Sequence, residues 1–346
     1  MEFTVIGAGA IGGVIGAHLA RASHDVVFCD KVEAHVRKIR DEHLHIEGPH
    51  TTFDVRVPAY TPTELVARGK QLRTVLLCVK SQDTEEALRQ VMPLVGPETQ
   101  VVSCQNGLCE NTIAAMIGRE RTIGCFVNFS ADYLEPGRIL YAGPSAFYVG
   151  ELDGTESGRV LSLQEALSCF GPVNVTDNIW GYLWGKLSYA ALLFATALVD
   201  ETMATVVRSR KHRPALMELC SEVLEVAAYE GVTPLGFDDW IPGLVYPRDG
   251  RDDAALAGQL ERLAARMAAN AKTKSGIWRD IAVRKRKTEV NHQLGPIIEI
   301  GQRHNLSLPL TQFVIDKIHL LETGTEVMDW HHLDELQTLF ESKVHV

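Results

Sequence analysis

The stretch Thr4-Val5-Ile6-Gly7-Ala8-Gly9-Ala10-Ile11-Gly12-Gly13 decides how the first half of this chain reads. A β-branched run passes straight into Gly-x-Gly-x-x-Gly, and apolar residues continue at helical spacing to Ala20. That is the order of strand, tight turn and helix. Each glycine has a steric task there: Gly7 permits the turn, Gly9 lets backbone approach a pyrophosphate, and Gly12 lets helix and strand pack closely. The backbone of Gly7, Ala8, Gly9, Ala10, Ile11 and Gly12 is therefore a candidate dianion cradle, because the N–H groups opening a helix point at phosphate with the helix dipole behind them. A second apolar run, Val26-Val27-Phe28-Cys29, ends at Asp30, about where a ribose-binding carboxylate belongs. The competing reading is a strand-turn-helix whose glycines serve packing only; the context favours a dinucleotide-binding unit.

The alternation continues outward from that unit. Lys31 to about Asp41 reads as a charged helix, Leu44 to Val57 as short alternating segments turning at Gly48-Pro49, and 62–70 as helix. Val75–Val79 and Val101–Cys104 are continuous apolar runs, the pattern of parallel strands buried on both faces. The first ends in Lys80-Ser81-Gln82-Asp83, where Ser81 or Asp83 is a candidate helix cap, and the second in Gln105-Asn106-Gly107. A parallel doubly wound sheet follows, and ligands of such sheets bind beyond the carboxyl ends of the strands. Lys80 and Asn106 fall on that rim with the glycine loop, as candidate cofactor and substrate contacts. Short strands with Pro136-Gly137 and Gly143-Pro144 turns occupy Thr122 to Val149, then a helix to about Phe170 and a strand at Val173–Val175. From about Asn178 the pattern is helical. The expected class is α/β: a Rossmann-type doubly wound dinucleotide-binding domain over 1–177, then an all-α substrate and dimerisation domain over 178–346.

At 346 residues the chain exceeds what one core usually serves. With 46% hydrophobic and 23% charged residues it is globular, and its net charge of −10 argues against nucleic acid or an anionic membrane as partner. The first strand starts almost at Met1, so no signal peptide is expected, and Leu187 to Val199 is too short to span a bilayer; a cytoplasmic protein is expected. The seven cysteines (29, 78, 104, 109, 125, 169, 220) form no Cys-x-x-Cys pair and read as reduced structural thiols, with Cys104 and Cys109 open to exposure beside a glycine turn. The 13 histidines show no ligand spacing beside a carboxylate or cysteine cluster; His331-His332 read as surface, and no metal is expected.

The helical half opens with Trp180-Gly181-Tyr182-Leu183-Trp184-Gly185-Lys186-Leu187. A lysine inside so apolar a helix is costly to bury unless it is paired or used; snorkelling at a helix edge is the bland alternative. Arg213 to Glu230 reads as helix and 235–260 as an irregular insertion able to reshape or cover a pocket. Ser275 to Leu294 carries Asp280 and Arg284-Lys285-Arg286-Lys287-Thr288-Glu289, whose basic members read mostly as a solvated turn.

With these residues on the page, the chain resembles the ketopantoate reductase family nearly from end to end. The resemblance is carried by Gly7–Gly12, Val79-Lys80, Gln105-Asn106-Gly107, Gly124, Pro136-Gly137, Gly150-Glu151, Trp184-x-Lys186-Leu187 and Arg286-x-Thr288-Glu289. It implies reduction of a 2-oxo acid to a 2-hydroxy acid by reduced nicotinamide and, by family habit, a homodimer. Lys186 looks like the family's general acid, Glu289 like the acid that binds substrate and helps set the lysine's state, and Lys80 and Asn106 like residues positioning nicotinamide and substrate. The departures are in the substrate contacts. Where the family has two asparagines this chain has Ala190 and Phe194, and Ser275 is an imperfect counterpart of its carboxylate-binding serine. A pocket unable to hydrogen-bond a hydroxyl does not favour a substrate bearing one, so a more apolar or aromatic substrate is expected. The alternatives are a true 2-dehydropantoate 2-reductase using Tyr189 or Arg279, and a non-catalytic dinucleotide sensor, against which retention of Lys186 with Glu289 weighs. Asp30 favours NAD(H) by repelling a 2′-phosphate; Lys31 and family habit favour NADP(H).

Overall fold

A computed structural model describes residues 1–269 and 272–344. The chain divides into two compact units, Met1–Ile179 and Trp180–Val346. The first runs β1 (Glu2–Ile6), α1 (Ala10–Arg21), β2 (Asp25–Cys29), α2 (Glu33–Asp41), β3 (Leu44–Glu47), β4 (Phe53–Val55), β5 (Ala59–Tyr60) and α3 (Pro62–Ala67). It continues with β6 (Thr74–Leu77), α4 (Thr84–Val91), β7 (Gln100–Ser103), α5 (Cys109–Ile117), β8 (Thr122–Val127), β9 (Ala131–Glu135), β10 (Arg138–Tyr141), β11 (Phe147–Glu151), α6 (Gly158–Leu167) and β12 (Asn174–Val175).

The main sheet has the order β12-β11-β8-β7-β6-β1-β2-β5. β1 pairs in parallel with β2 and with β6, β6 with β7 and β7 with β8; β11 alone of this run lies antiparallel, against β8. The apolar runs are continuous because successive strand side chains feed opposite cores. Phe3, Val5, Leu76 and Val102 pack into one core, whereas Ile6, Val75, Leu77 and Val101 pack into the other. The doubly wound Rossmann-type sheet is thus present.

The alternating segments at 44–57 do something the sequence left open. β3 and β4 join β9 and β10 in a separate four-stranded sheet, β4-β3-β10-β9. Helix α1 fits against both layers because it lacks side chains where they approach. A Cβ on Gly16 would come 2.5 Å from the Phe28 ring, and one on Gly13 would come 2.2 Å from Ile139 Cδ1 of the small sheet.

The second unit is helical: α7 (Ile179–Thr196), α8 (Met203–Arg208), α9 (Arg213–Tyr229), α10 (Asp253–Ala269), α11 (Gly276–Ala282), α12 (Val290–Gln293), α13 (Gly295–Arg303), α14 (Pro309–Glu322) and α15 (His331–Val344). Only part of the expected insertion is irregular, since its last residues begin α10. The irregular part packs along one face of α7: Leu235 N donates to Gly181 O at 2.8 Å, a Cβ on Gly185 would meet Leu235 O at 2.2 Å, and Trp240 Nε1 donates to Ser188 Oγ at 3.0 Å. A buried carboxylate on α9 fixes the start of α14. Glu222 accepts from the N–H groups of Leu310 and Thr311, at 3.2 and 2.8 Å, and from Thr311 Oγ1. No helix among the described residues is long and apolar enough to cross a membrane.

Candidate functional site

The glycine loop has the shape its sequence requires. Gly7 sits at φ +91°, and its N–H donates to Cys29 O at 2.8 Å. A Cβ on Gly12 would lie 2.1 Å from Gly7 O and 2.8 Å from Cys78 Cβ, so only hydrogen fits. A Cβ on Gly9, the residue before α1, would meet nothing within 4 Å. Gly9 therefore faces open space beside the helix N-terminus, which suits a pyrophosphate. Asp30 is bound into this turn: Oδ2 accepts from Ala8 N at 2.8 Å and Oδ1 from Val32 N at 2.9 Å. Both bonds aim the carboxylate along the end of β2 and leave further lone pairs for hydroxyl donors. Lys31 is exposed and paired with Asp83 at 3.0 Å.

Because β2, β1, β6 and β7 are parallel neighbours, their carboxyl ends bring Asp30, the Gly7–Gly12 loop, Lys80 and Asn106 onto one rim. Lys80 is half-buried and Asn106 exposed. Gln105 ties two of the loops together, its Nε2 donating to Val79 O at 2.9 Å and to Thr84 Oγ1 at 2.8 Å. Of the two candidate caps, Asp83 stands before α4 without a side-chain capping bond, its carboxylate turned to Lys31, and Ser81 lies one turn earlier in a 3-10 segment.

His35 is the residue that sequence reading missed. Its buried ring accepts from Gly137 N at Nδ1, 2.9 Å, and meets Ala8 O at Nε2, 2.8 Å. An N–H donor on one side and a carbonyl on the other fix the neutral Nε2–H tautomer. The imidazole thus locks the glycine loop to the turn between β9 and β10. Replacing it with alanine strands both partners, at about 1–3 kcal/mol. His35→Ala is expected to raise the dinucleotide Kd about tenfold, read by quenching of reduced-nicotinamide fluorescence; an unchanged Kd would show the loop to be held without it. No local motif marks His35, whose partner Gly137 is remote in sequence.

In the helical unit, Lys186 on α7 is half-buried, as are Tyr182, Tyr189, Ala190 and Leu193. With 3.6 residues per turn, Ala190 and Leu193 lie within about 40° of Lys186 around the helix, and Phe194 about 80° away. Phe194 is 0% exposed and Ser275 4%. Both expectations for these residues need correction. Phe194 presents no surface to a ligand, and Leu193 shares the stripe in its place. The Ser275 hydroxyl is the N-cap of α11, accepting from Trp278 N at 3.1 Å. The insertion lies mainly on the opposite side of α7 and reaches the edge of the stripe at Tyr189, whose ring is 5.7 Å from those of Phe237 and Trp240. Glu289, half-buried, precedes α12. The basic run 284–287 before it is exposed, as expected, and Arg284 Nη1 and Arg286 Nε also donate to the buried carboxylate of Asp280, at 3.1 and 2.9 Å.

Cys104 and Cys109 are buried rather than exposed, and burial pushes the Cys29 thiol up to about 12. Beside this group lies Glu110, fully buried, with no hydrogen-bond partner for either carboxyl oxygen among the described residues. Burial pushes its carboxyl up to about 8. The folded protein therefore holds a proton there that the unfolded chain has released, so stability falls as pH rises from about 4.5 to about 8. Glu110→Gln is expected to flatten this slope in denaturation midpoints measured between pH 5 and 9; a slope identical to wild type would place the titration elsewhere.

Comparison with known proteins matches these features to one family. Residues 3–154 match the ketopantoate reductase PanE/ApbA family and 178–322 its C-terminal domain. A 2-dehydropantoate 2-reductase of Mesorhizobium japonicum is 31% identical over 272 residues, 70% of this chain and 81% of that protein. The PanE/ApbA family ketopantoate reductase of Ralstonia eutropha superposes with a TM-score of 0.78 at 25% identity, covering 94% of this chain and 99% of that one. D-mandelate dehydrogenase, solved with NADH and anilino(oxo)acetate, has the same fold, with a TM-score of 0.78 at 20% identity and coverage of 94% and 100%. The chain belongs to the ketopantoate reductase family and is an NAD(P)-dependent oxidoreductase acting on CH–OH groups.

Proposed function

We propose that this enzyme reduces a 2-oxo acid whose side chain is more apolar than that of ketopantoate, an aryl-bearing one above all. The observation that carries this reading is the half-open stripe of α7, where Lys186 is flanked by Tyr182, Tyr189, Ala190 and Leu193 with no side-chain amide among them. A stripe of this kind presents aromatic and aliphatic surface to an apolar substituent and, besides Lys186, only the phenols of Tyr182 and Tyr189 to a hydroxyl. That the same fold accommodates anilino(oxo)acetate in D-mandelate dehydrogenase is compatible with an aromatic substrate.

Open space at Gly9 and the fixed carboxylate of Asp30 fit a dinucleotide, with the loop N–H groups on its phosphates and Asp30 on the adenosine ribose. When bound, the reduced nicotinamide supplies hydride to the carbonyl carbon. Lys186 stabilises the charge that then grows on the carbonyl oxygen and donates a proton to it. Glu289 is assigned to bind and orient substrate. Lys80 and Asn106, on the rim of the sheet, position nicotinamide and substrate.

The Asp30 carboxylate opposes a 2′-phosphate, and the Lys31 charge is already shared with Asp83. The preferred cofactor is accordingly NAD(H), and kcat/KM for NADH should exceed that for NADPH by about tenfold or more, roughly 1.4 kcal/mol. A clear NADPH preference would show Lys31 outweighing Asp30.

The deciding experiment is reduced-nicotinamide consumption with phenylglyoxylate and with ketopantoate, each with NADH and NADPH. Faster turnover of the aryl acid supports the proposal, and fast turnover of ketopantoate overturns it. The second outcome would favour 2-dehydropantoate 2-reductase, the activity named for the Mesorhizobium japonicum relative. Ala190→Asn is expected to move the ratio of the two kcat/KM values toward the hydroxylated acid.

A further inference from the structure

We propose that Glu326, His331 and His332 form a binding site for a divalent transition-metal ion of the zinc class. They lie at the link between α14 and α15. A carboxylate oxygen of Glu326 and one ring nitrogen of each histidine all lie within 4.8 Å of one another. Imidazole and carboxylate form a donor set that zinc accepts.

The chemistry of His332 is what points to a cation. Its side chain is 0% exposed, against the expectation of a surface residue, whereas His331 is exposed as expected. His332 Nε2 meets Val327 O at 2.8 Å. A carbonyl only accepts, so Nε2 carries a hydrogen and Nδ1 is the nitrogen turned toward the cluster. That Nδ1 is buried without a hydrogen-bond partner among the described residues, and it faces Glu326 Oε2 at 3.3 Å. A metal ion placed between this nitrogen and the carboxylate would satisfy both. Their 3.3 Å separation is about the spacing of two ligands on a tetrahedral ion with bonds of roughly 2.0–2.1 Å.

The surroundings complete the pattern. Metal-binding histidines usually give their other nitrogen to an oxygen acceptor, which fixes tautomer and orientation. His332 does so with Val327 O, and His331 Nδ1 is 3.0 Å from Asp329 Oδ1. The two rings are 3.9 Å apart, and Asp329 N donates to Leu198 O at 3.0 Å, holding the link in place. Lys317 Nζ donates to both oxygens of Glu326, at 3.2 and 3.1 Å, and also reaches Glu335 at 2.9 Å, so Glu326 must share or release the ammonium to take a metal while Lys317 keeps the second carboxylate. The His43, His45 and Asp54 group differs: it is more exposed, and His45 Nδ1 bonds Asp54 Oδ1 directly at 2.6 Å.

The test is titration of chelator-treated full-length protein with cobalt chloride, whose visible absorption reports tetrahedral coordination, and with zinc chloride by calorimetry. One equivalent should bind, raise the thermal midpoint and give intense cobalt bands. Glu326→Gln and His331→Ala should each weaken binding at least tenfold, and Asp329→Asn by about tenfold through orientation. A His43→Ala/His45→Ala double variant should bind as wild type. Because Glu326 and His331 lie outside the proposed catalytic machinery, both variants should keep wild-type hydride transfer, which also shows them folded. No cobalt bands, or bands that persist in both ligand variants, would overturn the assignment.

Discussion

Replacing Lys186 with alanine is expected to lower kcat by about 10²–10⁴ while leaving the affinity for reduced nicotinamide nearly unchanged. The range is what a positioned proton donor typically contributes. Alanine can neither place positive charge beside a growing alkoxide nor supply its proton, so the loss belongs to the chemical step. Lys186→Arg keeps the charge but not the chemistry, because a guanidinium does not give up its proton at accessible pH. It should recover only a small part of the loss. The measurement is steady-state turnover of phenylglyoxylate, paired with a fluorescence titration of cofactor. A fall of less than tenfold with intact cofactor binding would remove Lys186 from the proton-donor role. It would then be a half-buried lysine whose stem packs on α7 while its head reaches water.

The second large effect is on stability. Phe194→Ala should cost about 3–5 kcal/mol, the usual range for truncating a buried phenylalanine. Phe194 is fully buried in α7, so truncation removes apolar contact and leaves a cavity. Chemical denaturation reads the loss directly. The same variant separates two roles: a core residue lowers the midpoint with kinetic constants per folded molecule nearly intact. A pocket residue would instead raise KM at near-normal stability, and that result would restore Phe194 to the substrate wall.

Much of the fold was legible because its signals are local. Gly7, Gly9 and Gly12 act within one strand-turn-helix, and the apolar runs at 75–79 and 101–104 need only length and composition to read as buried strands. The rim followed from topology: once those strands are parallel neighbours, Asp30, Lys80 and Asn106 share their carboxyl end. Lys186 stood out as a lysine inside an apolar helix, whereas Glu289 and the roles of both came only with the family resemblance.

What stayed hidden depends on contacts distant in sequence or on a few tens of degrees of helix rotation. Phe194 and Leu193 are adjacent in sequence, yet one is sealed in the core and the other lies along the Lys186 stripe. Ser275 could be read as a ligand until its hydroxyl was seen holding the first turn of α11. The bridging contacts of His35 emerged only through Gly137, and the four-stranded sheet only when β3 met β10. His331 is exposed, as its sequence context suggested, but its neighbour His332 is buried, with Nε2 at the carbonyl of Val327 and Nδ1 toward the carboxylate of Glu326.

By itself, then, the sequence determined the strand-turn-helix cradle, the alternation of a doubly wound sheet and the switch to helices near residue 178, because short-range sterics and periodic burial are written into neighbouring residues. Only the tertiary structure decided which polar atoms at Asp30, His35, Ser275 and His332 are satisfied and by what, since hydrogen-bond partners are chosen in space and not along the chain.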